Sequence, residues 1–173
     1  MNNNQVGKFI GRYRGVVVSN IDPDKIGRLL VRVEDVMGSH PCLWASPASV
    51  VAGTQMGIYA IPPVNAGVWV EFEDGDPNDP VWTGTLPGSS TEVPSAAMAA
   101  PPTNPPIVLQ SLAQNRIIIS SVPGEGITLE TAAGEAGPRV VISATGIKLS
   151  IGKSSIELDP VQVKINGTAL VIK

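Results

Sequence analysis

The last 28 residues, GIKLSIGKSSIELDPVQVKINGTALVIK, alternate apolar and polar side chains through strand after strand and contain no aromatic residue. In an extended chain successive side chains point to opposite faces, so each of these strands has one dry side and one wet side. Ile147, Leu149 and Ile151 form a stripe against Lys148 and Ser150. Ile156 and Leu158 oppose Glu157, and Val161, Val163 and Ile165 oppose Gln162 and Lys164. Whatever this ribbon folds into must supply a cover for the dry side, and no stretch of the chain sustains the 3.6-residue period of a covering helix.

The seven aromatic residues, Phe9, Tyr13, Trp44, Tyr59, Trp69, Phe72 and Trp82, all lie in the first half, whereas residues 107–173 hold 24 Ile, Leu and Val side chains. The two halves therefore build their cores differently, and the chain reads as two domains. For the aliphatic half the cheapest cover is the same stripe from other copies, packed about a common axis. Slim branched side chains suit such a narrow interior. An ordinary two-sheet sandwich within one chain is the alternative, and alternation alone leaves both open. Register is also open, because a one-residue slip exchanges the faces.

Eighteen Gly and 16 Pro among Val-, Ile- and Thr-rich runs indicate many short strands joined by tight turns, an all-β protein with almost no helix. Strand-like runs at about 13–20 and 28–36 flank a turn built from Asp22, Pro23, Asp24 and Gly27. Trp44 and Ala45 open a third strand inside a long irregular stretch. Val68, Val70 and Phe72 then alternate with Trp69, Glu71 and Glu73 before DGDPNDP turns the chain into VWTG. Five or so short strands in about 75 residues suit a small closed barrel, since closure removes exposed edges. PGSSTEVPSAAMAAPPTNPP, residues 87–106, reads as an extended, partly polyproline linker. Seven further runs, beginning at Arg116, Gly126, Pro138, Gly146, Ser154, Val161 and Ala169, form a loose β repeat.

The chemistry of the side chains excludes several function classes. A formal charge of −3 and a pI near 5.1 give no electrostatic reason to bind nucleic acid or an anionic membrane. A single cysteine, Cys42, excludes an intrachain disulfide, MNNNQVGKF lacks the regions of a signal peptide, and no apolar run approaches the ~20 residues of a membrane span. The expectation is a protein made and kept in a reducing cytoplasm. Cys42 follows His40 by two positions, but nothing marks the third group that a Cys–His nucleophile needs. Glu71, Glu73, Asp74, Asp76 and Asp79 form an acidic cluster of the kind calcium prefers. They sit on an alternating strand and at turn positions beside Gly75, Pro77 and Pro80, so solvated turn chemistry is the expected reading. No catalytic residue, metal site or cofactor is expected.

GRYRGVVVSNIDPDKIGRLLVRV, followed by WASP and by IPPVNAGVWVEFEDGDPNDPVWTG, strongly resembles the oligonucleotide/oligosaccharide-binding-like (OB) domain of contractile-tail spike proteins. That family includes phage baseplate assembly protein V, cell-puncturing phage spikes and the VgrG proteins of type VI secretion. The resemblance covers about residues 11–85. It implies an N-terminal extension over 1–10, an OB-like barrel over 11–86, the linker over 87–106, and over 107–173 an intertwined trimeric β-prism or β-helix spike. It also implies a homotrimer, a separate trimeric baseplate hub as partner, a target cell envelope, and no nucleic acid. The location implied is a virion tail baseplate assembled in host cytoplasm, or else a cytoplasmic or extracellular contractile injection particle. Some short phage spikes hold iron in a terminal His-x-His motif. The sole histidine here is His40, in the barrel half, so no metal site carries over.

On this reading the trimer core comprises Ile147, Leu149, Ile151, Ile156, Leu158, Val161, Val163 and Ile165. Leu170, Val171 and Ile172 place three apolar residues where the spike would end, either as a closed apex or as a platform for a PAAR-type tip protein, the latter being the reading adopted. The alternative function is an OB-type module that binds a glycan or oligonucleotide, with the C-terminal strands serving only for oligomerisation. A cell-wall hydrolase would need catalytic groups that the sequence does not offer.

Overall fold

The computed structural model describes residues 8–40, 43–167 and 169–172, with the side chain of Val171 outside the described part. The chain divides into two units between Ser90 and Thr91.

The first unit is a closed barrel of β1 (Tyr13–Ser19), β2 (Leu29–Arg32), β3 (Trp44–Pro47), β7 (Pro80–Leu86) and β6 (Gly67–Phe72), in that order around the ring. β3 and β7 run parallel and the other pairs antiparallel. Alternation is what fills it. Val68, Val70 and Phe72 of β6 point inward and meet Val17, Leu29, Val31, Val33 and Ala45, while Trp69 and Glu71 remain on the other face. Phe9, Tyr13 and Phe72 stack edge-on or tilted, with ring centroids 5.5 to 6.2 Å apart, beside this core.

Between β1 and β2 the turn is organised by Asp22, a buried acid. Its carboxylate accepts hydrogen bonds from the backbone N–H groups of Asp24, Ile26 and Arg28 and from the Arg28 guanidinium, and this pairing with Arg28 holds its pKa far below the ordinary carboxylate range. The run expected as strand over 28–36 stops at Arg32. Glu34–Met37 instead form a single helical turn, α1, whose Val36 and Met37 pack on the barrel core. A two-rung hairpin, β4 (Ala52–Gly53) with β5 (Met56–Gly57), stands inside the stretch expected to be irregular.

The second unit is an eight-stranded antiparallel meander. Its strands are β8 (Ile107–Gln110), β9 (Arg116–Ile119), β10 (Ile127–Glu130), β11 (Arg139–Ser143), β12 (Gly146–Ile151), β13 (Ser154–Leu158), β14 (Val163–Ile165) and β15 (Leu170–Ile172), each paired with the next. β8 is a strand beyond the runs expected from sequence. The segment before it is not uniformly extended. Ser90–Glu92 form a 3-10 turn and Ser95–Ala99 a short helix, α2, which opens on the Pro94 carbonyl. Pro94 has a preset φ and the alanines that follow favour helix, so local propensity overrides the surrounding prolines here.

Two glycines make the meander possible. A Cβ at Gly126 would lie 2.0 Å from the carbonyl oxygen of Ile142, and one at Gly146 would lie 2.0 Å from that of Leu158, both at positive φ. Only glycine lets the neighbouring strands approach so closely.

Candidate functional site

Strand pairing in the meander aligns side chains into rows, and two of the rows are aliphatic from end to end. One runs Ile107, Ile119, Ile127, Ile142, Ile147, Leu158, Val163, Ile172. The other runs Leu109, Ile117, Leu129, Val140, Leu149, Ile156, Ile165, Leu170. Positions two apart along a strand share a face, so the sixteen side chains lie together on one side of the sheet. Among the described residues none covers them fully: twelve are exposed, and Ile127, Val140, Val163 and Ile165 are half-buried. Leu149, near the middle, stays 43 % exposed, and Leu29 in the barrel is 0 % exposed.

The opposite face is mixed: one row passes from apolar to charged, and the row beside it, Gln110, Arg116, Glu130 and Arg139, is polar over β8 to β11. The first carries Val108, Ile118 and Val141 over β8, β9 and β11, then Lys148, Glu157 and Lys164 over β12 to β14. Lys148 Nζ lies 2.7 Å from Glu157 Oε1, and that hydrogen bond holds the Glu157 carboxyl below its usual range. Arg116 Nε donates to Glu130 Oε1 at 2.7 Å, and Arg139 Nε approaches the other carboxylate oxygen at 3.6 Å. These pairs sit side by side on neighbouring strands, where opposite charges support a register.

The expected core residues fall into three groups. Ile147, Leu149, Ile156, Leu158, Val163 and Ile165 belong to the two aliphatic rows. Ile151 lies on the same face at the β12–β13 turn, opposite Ser154, beyond the end of a row. Val161 is outside the strands: the expected run over 161–165 is strand only from Val163, because Asp159 ties the preceding residues into a turn. Its Oδ1 accepts from the N–H groups of Val161 and Gln162, and its Oδ2 from Lys164 Nζ at 3.0 Å. Those donors, the Val161 amide first, lower its pKa from 3.8 to about 2.

The β8 to β11 residues of both rows were missed from sequence. In β8, β9 and β11 the runs IVLQ, RIII and RVVIS are apolar without alternation, so their faces become readable only through pairing with ITLE and GIKLSI; β10, ITLE, does alternate, and its Ile127 and Leu129 were legible but not taken into the core. Leu170 and Ile172 end the two rows, and the backbone of Val171 pairs with Lys164.

The other candidates from sequence have ordinary surroundings. Glu71 pairs with Arg12 at 3.0 Å, and Asp76 accepts from the Asn78 backbone and side chain at 2.8 Å. Among the described residues no group of three or more His, Cys, Asp or Glu is placed to hold a metal ion. His40 is exposed, and Cys42 lies outside the described residues. No helix among the described residues is long and apolar enough to cross a membrane.

A five-stranded closed barrel joined in one chain to a sheet whose aliphatic face is left largely exposed among the described residues defines a class: a barrel module coupled to an oligomerising β-domain. Residues 13–86 match the family model described as the type VI secretion system/phage-baseplate injector OB domain. Residues 106–171 match the phage baseplate V C-terminal trimerisation domain. The two matches follow one another and span about four fifths of the chain. The chain belongs to the phage baseplate V family of baseplate injector proteins. Among curated proteins, no relative matches it.

Proposed function

We propose that this chain is the homotrimeric central spike of a contractile injection machine, a phage baseplate, and that its action is mechanical and not enzymatic. In this reading residues 11–86 form the module that attaches the spike beneath a trimeric hub. Residues 87–106 connect it to the shaft, and residues 107–173 intertwine with two other copies as a β-prism or β-helix. The observation that supports it is the uncovered face of two unbroken aliphatic rows across eight strands. Three such faces turned toward one axis bury one another, and the match to a trimerisation domain supplies the number of copies. Ile147, Leu149, Ile156, Leu158, Val163 and Ile165 form the distal half of that interior. Ile151 and Val161 lie at its turns.

Burial at roughly 25 cal/mol per Å² makes a continuous aliphatic interior cohesive, and a shaft of hydrogen-bonded strands bends little under axial load. Such a shaft transmits the force of a contracting sheath to a cell envelope. Leu170 and Ile172, with Val171 between them, end the rows as a platform for a PAAR-type tip protein. The particle assembles in host cytoplasm and the spike resides in the virion tail baseplate.

Absolute mass of the full-length chain by light scattering tests the reading. A mass of three chains, unchanged on dilution, is expected. A monodisperse, folded monomer would overturn the spike and favour an OB-type ligand-binding module.

A further inference from the structure

A second apolar surface lies on the barrel, and the core, the turn chemistry and the trimer interior leave it unexplained. The β4–β5 hairpin and the residues flanking it expose Val50, Met56, Ile58 and Tyr59, the last three at 69 %, 64 % and 70 %. The hairpin is a formed element and not a loose loop. Its two rungs are extended by a hydrogen bond from Ile58 N–H to the Val51 carbonyl at 3.2 Å, and a Cβ at Gly57 would lie 2.9 Å from that same carbonyl oxygen.

The surrounding chain is free of charge. No Asp, Glu, Lys or Arg occurs between Asp35 and Glu71, although the rest of the barrel sequence from Gly11 to Leu86 carries five basic and nine acidic residues. Depletion of charge with Tyr and Met present is the composition of an interface centre. An exposed apolar patch of this kind marks a contact surface.

We infer that the β4–β5 hairpin, with Ile58 and Tyr59, seats against the barrel of a neighbouring copy in the same trimer. This rests on the trimer proposed above. Two observations select a second copy as the occupant. Only 20 residues, 87–106, separate β7 from β8, a reach of at most about 70 Å when fully extended. Three barrels tethered to one trimer through such connections meet at roughly millimolar effective concentration, so even a weak contact is populated. The barrels are also acidic and repel one another, and the hairpin segment is where two of them touch without opposing like charges. Threefold symmetry makes the contact heterologous, the hairpin of one barrel against a different face of the next.

Cysteine accessibility in the full-length chain tests the inference. Cys42→Ser supplies the background, Met56→Cys and Tyr59→Cys report the hairpin, and Asp35→Cys is an exposed barrel control. Mass and tryptophan fluorescence are recorded on each sample. In samples of three-chain mass, maleimide reacts at least tenfold more slowly at positions 56 and 59 than at 35, because the single chain itself leaves both side chains open. Equal rates in a trimer overturn the inference while sparing the spike, and assign the hairpin to a separate protein. A monomeric background protein overturns both.

Discussion

The barrel and the meander are written in the same two-residue code, yet one hides its apolar face and the other displays it. Val68, Val70 and Phe72 alternate along β6 just as Ile147, Leu149 and Ile151 alternate along β12, but the first three are buried and the second three are exposed. Closure makes the difference. Five strands that return to their starting edge turn one face of every strand onto the others. The meander here stays open, its end strands β8 and β15 unpaired with each other, so its apolar face does not turn onto itself. Alternation therefore specifies that one face will be covered, and topology decides whether the chain or its copies supply the cover. The aromatics follow the same division: rings of Phe9, Tyr13 and Phe72 pack at the barrel core, whereas even rows of branched aliphatics suit a repeated, translation-like contact.

The largest effect that would break this comparison comes from a charge in the middle of an aliphatic row. Leu149→Glu places three carboxylates in the proposed interior, each an uncompensated buried charge costing about 3–5 kcal/mol. The expected result is a fall in mass from three chains to one, with the tryptophan signal of the barrel unchanged. A trimer that tolerates Leu149→Glu would show that the rows do not face an interior. The matching change in the barrel is Leu29→Ala, at a side chain with 0 % exposure. A cavity there lowers stability by about 2–5 kcal/mol. Chemical denaturation followed by tryptophan fluorescence reads it directly, since Trp44, Trp69 and Trp82 all belong to the first unit. The mass should remain that of three chains.

A smaller effect sharpens the account of strand approach. Gly146→Ala sets a Cβ 2.0 Å from the Leu158 carbonyl oxygen, so the β12–β13 pair must shift. Backbone strain of this kind costs about 1–3 kcal/mol per chain. Gly152→Ala, in the turn between the same strands, meets nothing within 4 Å and is expected to cost less. Thermal melting of both variants by far-UV circular dichroism compares them. Equal losses would remove close approach as the reason for glycine at position 146.

How much of this was legible in the sequence depended on whether a segment's periodicity outran its length. The inward face of β6 and the Asp22 turn could be read directly, because strict alternation and an Asp-Pro-Asp…Gly turn each have one physical interpretation. The distal strands of the meander were readable for the same reason. RIII and RVVIS were not, because three consecutive apolar residues fit either face. Their register appears only once Ile117 and Ile119 stand opposite Leu129 and Ile127, and Val140 and Ile142 opposite Leu149 and Ile147. VRVEDVMG looks like a strand continuing to Val36, and a helix of four residues is too short to display a helical period. Val161 keeps the alternation of its neighbours but is taken into a turn by Asp159, a hydrogen-bonding preference that a hydrophobic pattern does not register. Exposure of the β4–β5 hairpin has no signature of its own, since apolar residues in a short strand look alike whether covered or bare.

The smallest predicted effect again divides the two units, now by pH. Asp159 organises the turn before β14 and has its pKa lowered from 3.8 to about 2 by the Val161 amide, Lys164 and Gln162. A carboxyl group whose pKa is depressed on folding binds its proton more readily in the unfolded chain. Its contribution to stability is therefore complete above pH 3.8 and is lost as pH falls from there toward about 2. Asp22 in the barrel is depressed further by Arg28, so its contribution declines over a range that extends to lower pH. The paired measurement is stability against pH, by circular dichroism for the whole chain and by tryptophan fluorescence for the barrel. Asp159→Asn should flatten the dependence between about pH 4 and 2 in the first signal and leave the second unaltered, whereas Asp22→Asn should alter the tryptophan signal itself. If Asp159→Asn shifts the tryptophan transition as well, the two units unfold as one cooperative body, and the barrel's closed core and the meander's open rows are not separately stabilised.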